Sequence, residues 1–235
     1  MPPAVTGRRR FVAPLVVLTA VAVGLGAFWV GRSTSSAGAT RSATVDESVD
    51  VAPVVTTSTT TTVPKQVAGS RLGPGPNTVY VIGDSVTLAT EHRTPLALAG
   101  WTTTFDAKES RRIDQGIDIL AARPSPVARV LVVHLCTNWW GTDYHAAATR
   151  LLAAAKGVER VVWVTCVPWR HEVEQANAVI RALPDEFPFV VVADWEALAD
   201  QPGYTAGDHL HLNTPGVDAL ASLIAGSVGP PPSSS

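Results

Sequence analysis

Four polar residues set the chemistry open to this sequence. Ser85 follows an apolar run in "VYVIGDSVTLA" (79–89), and a serine hydroxyl becomes a useful nucleophile only when a base takes its proton. That base needs an acceptor to hold its ring. "GDHLHLN" (207–213) offers both: Asp208 and His211 stand three residues apart. On a loop, that spacing lets the carboxylate hold one imidazole nitrogen while the other faces a hydroxyl. Asn138, in "HLCTN" (134–138), is a further polar residue closing an apolar run. Nucleophile, base and orienting acid together describe nucleophilic catalysis by a serine. Singly they are ordinary: Ser85 reads as a helix cap, Asn138 as a turn residue, and Asp84 as a hydrogen-bonding brace.

The remaining candidates are weaker. Among six histidines, His134 alternates inside an apolar strand and reads as a satisfied core residue. His92 and His145 read as surface helix residues. His209 adjoins Asp208 too closely to compete with His211. Trp139, Trp140 and Trp169 follow strand ends, where they are expected either to line the substrate pocket or to cover the loops. Arg170 and His171 read as an exposed polar turn. No H-E-x-x-H or comparable cluster supports a metal, and serine ester chemistry needs no cofactor. Cys136 and Cys166 are too few for a disulfide scaffold and wrongly spaced for zinc.

These residues must be positioned by strands. "TVYVIGD" (78–84), "WTTTFDA" (101–107), "ARVLVVHLCT" (128–137), "RVVWVTCV" (160–167) and "FVVVADW" (189–195) alternate with helical patterns. The last three are nearly continuous apolar runs, as for parallel strands covered on both faces. Helical stripes fall on Ile113, Ile117 and Leu120; on Tyr144, Ala148, Leu151 and Ala155; and on Val173, Ala176, Ile180 and Leu183. The last helix carries Val217, Leu220, Ile224 and Val228, with Thr214 expected as N-cap and Pro215 at the first helical position. The alternation predicts an α/β fold, a three-layer α/β/α sandwich around a five-stranded parallel sheet. Ligands bind beyond the carboxyl ends of such strands, so Ser85, Asn138, Asp208 and His211 fall on one rim.

Outside this unit (77–229) the chain changes character. Arg8, Arg9 and Arg10 precede an uncharged apolar run over 11–31, long enough to cross the roughly 30 Å hydrocarbon core as a helix. The run is expected to be a transmembrane signal-anchor, with residues 1–10 cytoplasmic and the bulk of the chain outside. A cleaved signal is the alternative, given "AGA" at 37–39. Residues 32–76, with "TTSTTTTVP" (56–64), have too little apolar content for a core and are expected to form a disordered linker. Residues 230–235 are expected to form a disordered tail. With 16% charged residues and a net charge of −2, nothing favours nucleic acid as a partner.

"VIGDSVTLA" (81–89), "DAKESRR" (106–112), "VVHLCTN" (132–138) and "DHLHLNTPG" (208–216) resemble the successive blocks of the SGNH (GDSL-type) hydrolase superfamily. The nearest likeness is to SGNH domains fused to membrane acyltransferases of cell-envelope polysaccharides. "ADWEALADQPGYTAGDHLHLNTPGVDALA" (193–221) resembles those domains in its tryptophan, spacing and terminal helix. The resemblance implies a flavodoxin-like strand order, Ser85 as nucleophile, His211 as base and Asp208 as its orienter. It implies an oxyanion hole made by the backbone N–H groups of Ser85 and Ser110 and the side chain of Asn138. Ser110 stands where the family often has glycine, and Cys136 where it usually has glycine. The family fold also makes Cys136 and Cys166 neighbours, so a disulfide between them is expected. The implied activity is that of an extracytoplasmic esterase on O-acyl groups of envelope glycans. O-acetyltransferase action, or a non-catalytic module binding glycan or a membrane acyltransferase, stays open.

Overall fold

The computed structural model describes residues 72–232. Five strands, Thr78–Gly83 (β1), Thr102–Ala107 (β2), Val130–His134 (β3), Arg160–Val164 (β4) and Val190–Ala193 (β5), form one parallel sheet in the order β2-β1-β3-β4-β5. Alternation along each strand divides the apolar side chains between two cores. Tyr80, Ile82, Leu131, Val133, Val161 and Trp163 pack on one face of the sheet. Val79, Val81, Val130, Val132, Val162 and Val164 pack on the other. Each such valine, leucine or isoleucine contributes about 1.5–3 kcal/mol by leaving water, enough for the continuous apolar runs to dictate the central strands. β2 and β5 are the two edge strands, and the Thr102–Thr104 segment of β2 is polar.

Helices cover both faces, giving three layers. Ile113–Ala121 (α3), Tyr144–Ala154 (α4) and His171–Glu186 (α5) bury the expected stripes against the first core. The short Ser85–Leu88 (α1), Thr94–Ala97 (α2) and Glu196–Ala199 (α6), with the long Thr214–Val228 (α7), belong to the second. The start of α7 differs by one residue from the expectation. Asn213 is the N-cap, Thr214 the first helical residue and Pro215 the second. Asn213 is drawn there because its side chain donates to the Thr205 carbonyl at 2.8 Å, closing the preceding loop rather than capping the helix.

The packed unit also reaches slightly beyond 77–229. Leu72 packs against the second core, and the buried Arg129 guanidinium donates to the Gly73 carbonyl and pairs with Glu159 at 3.1 Å. At the other end the Asn77 side chain reaches the Pro232 carbonyl at 3.5 Å. The expected anchor at 11–31, and the linker up to residue 71, lie outside the described residues. Among the described residues, no helix is long and apolar enough to cross a membrane.

Candidate active site

Ser85 sits where β1 turns sharply into α1. Gly83 permits the turn: a Cβ there would lie 2.2 Å from Thr87 Oγ1. Asp84, fully buried, caps α1 by accepting the Val86 N–H at 3.0 Å, and its own N–H donates to the His134 carbonyl at 3.2 Å. The brace reading of Asp84 thus matches its contacts. It fixes Ser85 as the first residue of α1, where no intrahelical bond uses the backbone N–H.

Asp208 and His211 lie on a loop that is tightly built. Trp195, buried after β5, stacks on Tyr204 at 6.1 Å with nearly parallel rings. Thr205 and Leu212 form an antiparallel bridge, and the Ala206 N–H donates to the His211 carbonyl at 2.7 Å. Gly216 lets α7 come up against this loop, since a Cβ would lie 1.9 Å from the Tyr204 carbonyl oxygen. His209 takes a left-handed turn (φ 56°), tightening the stretch between Asp208 and His211.

Within that turn Asp208 Oδ1 accepts the N–H groups of Leu210 and His211, each at 3.0 Å. Asp208 Oδ2 lies 2.7 Å from His211 Nδ1, and His211 Nε2 lies 3.3 Å from Ser85 Oγ. The hydrogen bond from His211, followed by the two backbone donors, pulls the Asp208 carboxyl down to about 2. A carboxylate so held is ionised at neutral pH and keeps the proton on Nδ1. Nε2 is then left as an acceptor toward the hydroxyl.

Asn138 follows β3 and donates to the Arg111 carbonyl at 3.3 Å. Ser110, next to Arg111, adopts φ 56°, the left-handed region that glycine occupies without cost. The sequence reading missed Arg111 itself. Its guanidinium is buried, pairs with Asp106 at 2.6 Å and reaches the Gly83 carbonyl at 3.4 Å. It thereby ties the ends of β1 and β2 to the segment bearing Ser110. Burial alone would raise the Asp106 carboxyl, but hydrogen bonds from Tyr80 and Arg111 prevail and hold it below the ordinary range. The available signal was a charged pair, Asp106 and Arg111, within a short block at a strand end. A cleft of about 390 Å³ opens over the site, lined by Ser85, Leu88, Ala89, Glu109, Ser110 and His211.

Trp139, Trp140 and Trp169 do not line that cleft. Trp139 instead turns inward: its ring meets Tyr144 edge-to-face at 5.2 Å and packs on the first core. An indole beside an apolar surface gains more from burial there than at an open rim. Trp140 and Trp169 remain exposed beside the site.

Cys136 and Cys166 are joined in a buried disulfide with Cα atoms 5.8 Å apart. His134 lies with the two sulfurs within 4.8 Å, but the sulfurs are bonded to each other and offer no thiolate to a metal. His134 is wholly buried, and burial pushes its imidazole toward the neutral form. Its Nδ1 meets Thr87 Oγ1 at 2.9 Å, and the Thr165 backbone is its other polar neighbour, so it reads as a core histidine. His145 is exposed on α4, near Glu186 at 2.7 Å, and His92 lies on the turn between α1 and α2.

No family model and no curated protein matches the chain. Solved structures do. The C-terminal catalytic domain of peptidoglycan O-acetyltransferase A from Streptococcus pneumoniae is similar over 65% of this chain and 90% of its own. The two share 22% identity with a TM-score of 0.55. A GDSL-like lipase from Bacteroides thetaiotaomicron is similar over 65% and 87%, at 16% identity and TM-score 0.52. A family 3 carbohydrate esterase from Clostridium thermocellum is similar over 66% and 96%, at 17% identity and TM-score 0.50. The described residues have the fold of the SGNH (GDSL-type) hydrolases.

Proposed function

We propose that this protein is a serine-dependent acyl-transfer enzyme that removes O-acyl groups, chiefly O-acetyl, from cell-envelope glycans outside the cytoplasm. The observation that carries the reading is the unbroken chain from Ser85 Oγ through His211 to Asp208, at 3.3 and 2.7 Å. Ser85 Oγ attacks the ester carbonyl carbon while its proton passes to His211 Nε2. The carbonyl oxygen becomes an oxyanion that accepts from the N–H groups of Ser85 and Ser110 and from Asn138 Nδ2. Collapse expels the sugar hydroxyl, which takes the proton from His211, and leaves an acyl ester on Ser85. Water, deprotonated by the same imidazole, then releases the acid.

The glycan substrate is supported by two of the similar structures, a peptidoglycan O-acetyltransferase domain and a carbohydrate esterase. The location is supported by the Arg8–Arg10 cluster and the uncharged run at 11–31. One observation favours a second reading, O-acetyl transfer between donors and glycan hydroxyls: an O-acetyltransferase domain is among the similar structures. A membrane acyltransferase would then be the partner that supplies the acyl group.

The test is hydrolysis of 4-nitrophenyl acetate by the full chain and by its Ser85→Ala and His211→Ala variants. Turnover is expected only in the parent, with melting nearly unchanged in all three. Equal rates in parent and Ser85→Ala protein would sink the proposal.

A further inference from the structure

Beside the cleft, two tryptophans are exposed yet held rigid. Trp140 is 68% exposed and Trp169 46%. A scattered exposed apolar side chain needs no explanation, because folded surfaces are largely apolar. These two are not scattered. Their rings meet edge-to-face at 6.0 Å, and the Arg170 guanidinium packs over Trp140 at 3.2 Å and Trp169 at 4.4 Å. Trp169 Nε1–H donates to the Thr137 carbonyl at 3.0 Å, and Arg170 donates to the Trp139 carbonyl. The disulfide between Cys136 and Cys166 holds the two parent loops together beneath them.

One face of Trp140 is therefore covered by Arg170, and its remaining exposed surface is open. We propose that Trp140, buttressed by Trp169 and Arg170, is a stacking subsite for a neutral pyranose ring of an oligosaccharide. The apolar face of a sugar ring suits a flat indole, and the clamping removes the cost of ordering the indole on binding. Charge argues for a neutral ring. Arg170 Nε and Nη1 are buried within the clamp without a hydrogen-bond partner, Glu172 lies 4.0 Å from Nε, and only 10% of the side chain is exposed, so little of the guanidinium is presented to a carboxylate. Trp140 follows Asn138 by two residues, which keeps their Cα atoms within about 7.6 Å. Trp140 lies outside the residues that line the cleft over Ser85, as Asn138 also does, so a chain of several rings is the ligand that reaches from one to the other. The ligand is consequently an oligomer. Only the subsite's role in placing an ester rests on the acyl-transfer reading; the binding itself does not.

The test is calorimetric titration of the full chain carrying Ser85→Ala with cellohexaose, chitohexaose and xylohexaose. At least one hexamer is expected to bind. Adding Trp140→Ala should then weaken it about five- to tenfold, the worth of one aromatic contact, while Trp140→Phe restores most of the loss. Should Trp140→Ala lower the melting temperature sharply, Trp140→Leu, which keeps apolar bulk without a ring, takes its place. Binding of none of the three, or equal binding with and without the Trp140 ring, would overturn the subsite. Ring-dependent binding in a protein that shows no Ser85-dependent ester turnover would support the subsite while removing the acyl-transfer reading.

Discussion

Asn138→Ala separates an oxyanion donor from a turn residue. The Asn138 amide has two N–H bonds. One points at the Arg111 carbonyl at 3.3 Å, which fixes the amide plane, since the opposite orientation would face oxygen to oxygen. The other is free to meet the oxyanion alongside the N–H groups of Ser85 and Ser110. Removing the side chain loses one long neutral hydrogen bond from a half-buried position, so stability should fall by no more than about 1 kcal/mol. The transition state loses a donor whose removal from such sites costs about 2.7–4 kcal/mol, or about 10²–10³ in rate. With 4-nitrophenyl acetate as substrate, kcat should therefore drop by that factor while KM and the melting curve stay near those of the parent. Asn138→Asp should do at least as badly, because it sets an acceptor against the developing negative charge. Retention of more than about a tenth of the parent's kcat in Asn138→Ala would refute the donor role. A comparable loss of stability would instead return Asn138 to the role of a turn residue.

Three further outcomes are expected. Asp208 is depressed to about 2 from an ordinary 3.8, so its charge is fully present above 3.8 and lost only as pH falls through about 2. An NMR titration of the Asp208 carboxyl with its midpoint near 3.8 would contradict that hold, and Asp208→Asn should slow turnover less than His211→Ala does. Alkylation of the unfolded, unreduced chain should add nothing to its intact mass, whereas two added groups would refute the Cys136–Cys166 bond. Protease added to intact cells should remove the folded domain by cutting in the threonine-rich stretch; protection until lysis would refute the outward placement, and Thr40 as the mature N-terminus would replace the anchor by a cleaved signal.

The sheet was legible because burial on both faces forces continuous apolar runs, as in Val130–Val133, which no surface element would carry. Ser85 and Asn138 were legible as rim residues because they follow those runs, and a parallel sheet gathers strand ends in one place, whereas Asp208 and His211 were read from their spacing on the loop before α7. Other features were hidden because they depend on how loops and strand ends close around a side chain, which residue type does not show. Arg111 reads as one of two adjacent arginines until the ends of β1 and β2 close around its guanidinium. Trp139 and Trp140 are neighbours of identical type, and only Tyr144 and the core beneath decide which one turns inward. The one-residue displacement of the α7 cap has the same origin, in the Thr205 carbonyl eight residues upstream.

Ser110 and Cys136, where the resembled family prefers glycine, have separate physical answers. A backbone donor is aimed by φ and ψ, and Ser110 at φ 56° aims its N–H as a glycine in that conformation would. An L-residue held there costs about 1–2 kcal/mol, which the surroundings must offset. The Arg111 N–H donates to the Lys108 carbonyl at 3.3 Å across Ser110, and the buried Arg111 side chain holds the next residue to two strand ends. The strained turn is thus clamped from its C-terminal side, and serine can replace glycine without releasing the donor. Cys136 answers differently, because its side chain is fully buried and bonded to Cys166. The added sulfur points into the core, away from the cleft, and ties the segment leading to Asn138 to the segment leading to Trp169 and Arg170. A glycine there would leave Asn138 its own long bond to Arg111 and the bonds to the Thr137 and Trp139 carbonyls, without the covalent tie. The disulfide therefore stiffens the donor from below, and a substitution that looks like a loss of family pattern becomes a second anchor for the same amide.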